Sequence, residues 1–146
     1  MPGLDEFERR IRLYANKAGE VGDAAVKAAS HATLQELAMA TPVDTGEAVS
    51  NWQVGLGSAP TSAIPPYSPG EKGSTADTNR VAMLEAGLAA IDGYQSGQGA
   101  AVHIVNNAKH IGSLNDGHSK QAPANFVEMA VAAGRRAVQN LRISFK

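Results

Sequence analysis

The sequence predicts a single α+β domain over residues 1–146, with a long N-terminal helix and two further helices packed on a small antiparallel sheet. Three observations predict it. An apolar stripe at helical spacing runs through about the first third of the chain. Short segments of alternating polarity lie near Trp52 and His103. A long stretch rich in Pro and Gly separates them. The length itself suits one domain, since roughly 100–200 residues is the usual size.

The first helix spans about Leu4 to Met39. Its apolar positions are Leu4, Phe7, Ile11, Tyr14, Ala18, Val21, Ala25, Ala28 and Ala32, steps of three and four that line one helical face. Asp5, Glu6 and Glu8 lie in the first turns, where the helix dipole favours anions. Gly19 and Gly22 each cost about 1 kcal/mol relative to Ala and mark a bend or a break. After Ala32 the stripe shifts phase to Leu34, Leu37 and Ala38. Thr41-Pro42 ends the helix, because Pro disfavours helical geometry in the residue before it.

Val43-Asp44-Thr45-Gly46 reads as a turn. Residues 48–56 read as a strand, with Trp52, Val54 and Leu56 alternating with Asn51, Gln53 and Gly55. Residues 57–76 hold four of the seven prolines and read as a flexible loop or arm, with Ile64 and Tyr67 as its anchors on a neighbour. A second helix, about Asn79 to Asp92 and capped by Asp77 or Thr78, carries the stripe Val81, Leu84, Leu88 and Ile91. A second strand covers 101–106, and a polar loop follows to Ala122. Pro123 suits the first position of a third helix, where its missing N–H is harmless. That helix runs to about Asn140 through Phe126, Met129, Ala130, Ala133 and Ala137, and residues 141–145 alternate like a last short strand. So small a sheet leaves edges for a partner subunit to complete.

Composition narrows the chemistry. Lys and Arg number 13 against 14 Asp and Glu, a formal net charge of −1, so no global basic excess signals nucleic acid. There is no cysteine, which excludes disulfides, cysteine nucleophiles and thiolate metal sites. No apolar run approaches the ~18 residues of a membrane span, and the N-terminal segment does not read as a signal peptide. His110, Asp116 and His118 share one loop, but their spacing matches no metal signature, and solvated histidines are the plainer reading. His103 falls on the wetter face of the second strand, and His31 on the helix surface. Asp116, His118 and Ser119 are too close in sequence for a relay triad, and there is no Gly-x-Ser-x-Gly elbow. The expectation is no catalytic residue, no metal and no cofactor. After Glu128 the charges are all basic: Arg135, Arg136, Arg142 and Lys146 either face DNA phosphates or complement a helix C-terminus.

Two stretches carry a resemblance. The first is Thr41-Pro42-Val43-Asp44-Thr45-Gly46 with Ser50-Asn51-Trp52-Gln53-Val54. The second is Val105-Asn106-Asn107-Ala108, Ile111, Leu114-Asn115-Asp116-Gly117, Ser119-Lys120-Gln121-Ala122-Pro123 and Phe126-Val127. In this order the pattern resembles the neck and tail-completion proteins of tailed bacteriophages, including relatives of the lambda minor tail protein Z group. It covers roughly residues 4–140, and His110 departs from it where Tyr is common.

The resemblance implies a virion structural protein without catalysis, made in the bacterial cytoplasm and built into the head–tail junction. It implies a homo-oligomeric ring, six-fold by tail symmetry or twelve-fold if a portal sets it. Its partners would be head-closure, adaptor or portal proteins on one side and tail-tube or tail-terminator proteins on the other. Transient contact with packaged DNA is compatible with this, and a membrane is not involved. Pro42, Asp44, Thr45, Gly46, Trp52, Asn115, Gly117, Gln121 and Pro123 would then act structurally: the first motif holding its turn, Trp52 filling the core, and Asn115, Gly117 and Gln121 holding the second loop. The loop 57–76 would order on assembly. The alternatives are a tail-tube or tail-terminator subunit, a small DNA-binding accessory protein using the basic C-terminus, and a small hydrolase using the His110–His118 loop.

Overall fold

The computed structural model describes residues 2–95 and 101–141. Along the chain run α1 (Pro2–Ala40), α2 (Glu47–Ser50), β1 (Trp52–Leu56), α3 (Ala76–Asp92), β2 (Val102–Asn106), α4 (Ile111–Asn115) and α5 (Phe126–Gln139). The architecture is mixed helix and sheet. β1 and β2 pair antiparallel, with Trp52 opposite Asn106 and Leu56 opposite Val102. α1 and α3 pack on this sheet, whereas α5 packs chiefly on α1. The expected third strand, together with Arg142 and Lys146, lies outside the described residues.

α1 runs unbroken through Gly19 and Gly22. A Cβ at either glycine would meet nothing within 4 Å, so neither makes room for a neighbour. The buried part of α1 is the phase-shifted one: Leu34, Leu37 and Ala38 are in the core, while Leu4, Phe7 and Ile11 are 63, 63 and 52 % exposed. Helix ends leave unpaired carbonyls. α1 has no basic residue in its last turn, and Arg80 of α3 supplies one from outside, donating to the Ala38 carbonyl at 2.9 Å.

Residues 48–50 are helical rather than extended. Gly46 takes φ +95°, and the Ser50 and Asn51 N–H groups then bond the Gly46 and Glu47 carbonyls, each at 3.1 Å. This single turn uses up the start of the expected strand, and alternation begins only at Trp52. In α3 the buried row is Asn79, Met83, Gly87 and Ile91, with Leu84 and Leu88 packed beside it. Val81 is 55 % exposed, so the expected stripe is rotated. The helix starts at Ala76 with Thr75 as N-cap, not at Asp77 or Thr78.

The segment expected as polar loop contains α4. Pro123 is not a first-turn residue, since α5 begins at Phe126 after Asn125 takes φ +65°. Asn115 serves this helix start from a distance: its Oδ1 accepts the Val127 N–H at 2.9 Å and its Nδ2 donates to the Glu128 carboxylate. Further along α5, Gly134 sits directly on α1. A Cβ there would lie 2.3 Å from Thr33 Oγ1, so only Gly permits the approach.

Trp52 is buried, and its Nε1 donates to Thr41 Oγ1 at 2.8 Å. Around it the core gathers Leu34, Leu37, Val43, Val49, Met83, Ile91, Phe126 and Ala130. Among the described residues no helix is long and apolar enough to cross a membrane.

Trp52→Ala is expected to lower the unfolding free energy by about 3–5 kcal/mol, the usual loss for a buried large aromatic. Urea denaturation followed by circular dichroism measures it, and an unchanged midpoint would refute the packing role. On α1 the guanidiniums of Arg9 and then Arg10 hold the Glu6 carboxyl below the ordinary carboxylate range. A depressed carboxylate stabilises its fold above its unfolded-state value and ceases to as pH falls through the folded one. Arg9→Ala is expected to move the Glu6 titration upward, read by carboxyl NMR; an unmoved midpoint would mean the pair is not formed.

Candidate functional site

The two sequence motifs are far apart in the chain and meet in the fold. Val43 N–H donates to Gln121 Oε1 at 2.9 Å, and Gln121 Nε2 donates back to the Val43 carbonyl at 3.1 Å. A side-chain amide has the same donor and acceptor pair as a peptide, so Gln121 bonds Val43 as a neighbouring strand would. Between the motifs lies a cleft of about 320 Å³. One wall is the turn Pro42–Ala48; the other is Ala108, His110, Ile111, Leu114, Ser119 and Gln121.

The turn wall is held from the loop 57–75. Asp44 Oδ1 accepts from Lys72 N–H at 2.8 Å, and the Asp44 carbonyl from Gly73 N–H at 2.9 Å. Thr45 Oγ1 accepts from Glu47 N–H at 3.3 Å, and the Thr45 carbonyl from Gly70 N–H at 3.2 Å. Gly46 is required twice over. Its positive φ is strained for any side chain, and a Cβ would stand 2.2 Å from Asn79 Nδ2.

Asn79 is the hub behind the turn. It is fully buried. Its Oδ1 accepts from Ser50 Oγ at 3.1 Å and from Ser68 N–H at 2.8 Å. Its Nδ2 donates to the Ser68 carbonyl at 2.8 Å and to Thr75 O and Oγ1 at 3.0 Å. Asn51, also fully buried, repeats the device: Oδ1 accepts the Ile64 N–H at 2.8 Å, and Nδ2 donates to the Ile64 carbonyl at 2.9 Å. Two backbone-like amide pairs therefore pin the Pro-rich loop at Ile64 and Ser68. Asn107 and Gln53 add bonds to Pro60 O and Ser62 O. Among the described residues every buried side-chain N or O has a partner.

The anchors of the loop differ from those the sequence suggests. Ile64 is held by its backbone, and Tyr67 by its N–H, which donates to Ser50 Oγ at 3.2 Å, while the Tyr67 side chain is 45 % exposed. Gly117 takes φ +92° at the end of α4, and Pro123 is exposed in the turn leading to α5. Arg135 and Arg136 are exposed on the outer part of α5. Asn79 belongs to neither motif, and Ser50 and Asn51 stand in the first one with no role assigned, because a buried Asn on a helix or strand looks like a surface one until its partners are known.

Ser119 Oγ accepts from Gln121 N–H at 3.1 Å, and no hydrogen bond joins Ser119, His118 and Asp116 side chains to each other among the described residues. His110 caps α4 through its position, and His31 Nε2 lies 2.9 Å from Asp92 Oδ1, tying α1 to the end of α3. Among the described residues no three His, Asp or Glu side chains gather as a metal site would need. No family model, curated protein or solved structure matches the chain.

Asn79→Ala is expected to strand the Ser68 amide and the Ser50 hydroxyl, at about 1–3 kcal/mol for each buried group left unpaired. Chemical denaturation measures the loss, and limited proteolysis is expected to cut faster within 57–75. Asn140→Ala, at an exposed position, serves as control. Equal stability and equal cleavage of the two variants would remove Asn79 from the role of hub.

Proposed function

We propose that the chain is a structural subunit of a ring at the head–tail junction of a tailed bacteriophage, a neck or tail-completion protein. One observation carries this reading: the polar motif side chains are engaged with the chain's own groups. Asp44 holds Lys72 N–H, Thr45 holds Glu47 N–H, Asn115 holds Val127 N–H and Glu128, and Gln121 holds Val43. Residues that recognise a substrate present free polar atoms; these stabilise a joint. The co-occurrence of two distant motifs in a fixed order then has a physical reason, since each supplies half of one contact.

A joint of this kind suits a subunit that carries load between neighbours. The described sheet has two strands, so each strand keeps one unpaired edge that a neighbour can use. The α1 segment that bears Leu4, Phe7 and Ile11 offers an apolar face beyond the body. Repetition of one heterologous contact around an axis closes a ring. Six copies follow if the tail sets the symmetry, twelve if the portal does.

A second reading is a DNA-binding accessory protein, favoured by the exposed Arg135 and Arg136. Its signature is binding of duplex DNA by the free chain that weakens steeply with salt.

Quantitative mass spectrometry of purified virions from the encoding phage tests the ring. About six or twelve copies per particle are expected for one connector ring. Hundreds would make the chain a tube subunit. Absence from the particle would overturn the virion reading.

A further inference from the structure

α3 and α5 stand on different sides of α1. α3 meets α1 through Leu34, which lies over Gly87, and through the His31–Asp92 pair. α5 meets it through Ala29 and Thr33, which lie against Gly134. At roughly 100° per residue these two sets of α1 residues are about 150° apart round the helix. The outer faces of α3 and α5 therefore point away from each other, with α1 between them.

The α3 face carries a spare negative charge. Val81 and Glu85 are exposed on consecutive turns, about 160° round α3 from the middle of the buried row Asn79, Met83, Gly87 and Ile91. Val81 is 55 % exposed. Two further acids of the helix have partners: Asp77 lies 3.5 Å from Arg80 Nη1, and Asp92 2.9 Å from His31 Nε2. Arg80 is turned inward, to the Ala38 carbonyl. Glu85 makes no ion pair among the described residues.

The α5 face carries a spare positive charge. Val131 and Val138 are 45 and 36 % exposed, and Arg135 stands between them along a groove shared with α1. The three lie within about 60° of one another round the helix. Arg135 makes no ion pair among the described residues, and Glu128 of the same helix is held by Asn115. One subunit cannot join its own two faces across α1, whereas two copies can. Pairing like with like would set Arg135 against Arg135 or Glu85 against Glu85, which repel. Pairing unlike faces sets Glu85 against Arg135.

We infer that the outer face of α3 in one copy docks on the α5 face of the next copy, Glu85 against Arg135 and Val81 against Val131. On each helix the charge follows the valine by four residues, so one register satisfies both contacts. The contact is heterologous: it joins two different surfaces, and each copy gives one and receives the other. It deepens the ring reading, on which it rests, by naming the faces that repeat around the ring.

The test is a charge exchange in the full chain, read by sedimentation velocity. Glu85→Arg and Arg135→Glu are each expected to weaken self-association roughly tenfold or more, as loss of a close charge pair across an interface does. Both changes in one chain, or a mixture of the two single variants, are expected to restore it. Arg136→Glu, about 100° away round α5, is the control and is expected to weaken it far less. All three positions are exposed, and circular dichroism checks that each variant folds. The absence of cysteine allows a second readout. Val81→Cys and Val131→Cys chains, mixed and oxidised, are expected to form the mixed 81–131 link in preference to 81–81 and 131–131 links.

Association unmoved by either single change, or weakened without recovery on exchange, would overturn the pairing. So would 81–81 or 131–131 links alone, or a monomer that yields no 81–131 link. Duplex DNA bound by a monomeric chain, and released by salt or by Arg135→Glu, would assign the α5 face to nucleic acid and overturn the inference. Copy number in virions is read independently, so failure of this contact and failure of the virion reading are told apart.

Discussion

The α2 turn, the second half of the Pro-rich segment and the start of α3 are joined by one buried amide. Asn79 sits at the start of α3 with no access to water, and a buried amide is tolerable only when its donors and acceptor are all engaged. Here they are, by Ser50, Ser68 and Thr75. That arrangement draws the α2 turn, the middle of the Pro-rich segment and the α3 N-terminus to a single point. Gly46 must lie against the same amide, with a positive φ and no Cβ. The geometry of the Val43–Gly46 turn, and hence where Val43 meets Gln121, follows from the space Asn79 leaves.

Much of the fold was legible because periodicity reports burial. In α1 this holds for the last turns, where the shift of phase after Ala32 marks the residues that reach the core, and fails at the start, where the stripe residues Leu4, Phe7 and Ile11 are exposed. Trp52 and the antiparallel partner around His103 followed from alternation. What could not be read were features fixed by hydrogen bonds between distant residues. Residues 48–50 have strand-like composition, yet the carbonyls of Gly46 and Glu47 impose one helical turn. The buried row of α3 runs through Asn79 and Gly87, neither of which an apolar stripe includes. α4 is too short for any period to show, and the start of α5 depends on Asn115 rather than on Pro123. At the candidate site the two motifs were visible, but the amide pair joining them was not, since nothing in either segment points to the other.

The molecule has two mechanically different parts. The body is cross-braced: α5 rests on α1 through Gly134, α3 reaches the α1 C-terminus through Arg80, and His31 meets Asp92. Among the described residues the start of α1 is held by its own helical bonds and by pairs among Glu6, Glu8, Arg9, Arg10 and Arg12. Such exposed pairs contribute little individually and weaken with salt. A braced body thus carries a lightly held helical extension, and the two differ in what keeps their shape.

The Pro-rich segment is gripped through main-chain atoms. Asn51 reads the peptide of Ile64, Asn79 that of Ser68, and Gln53 and Asn107 the carbonyl of Ser62. None of these contacts asks what side chain stands at the gripped position. Apart from the φ values that its own Pro60, Pro65, Pro66, Pro69 and Gly73 impose, the path of the segment is held from outside it, by asparagines and glutamines of the scaffold. The half-exposed Tyr67 side chain takes no part in that grip, which holds the segment as a rigid frame holds an interchangeable face.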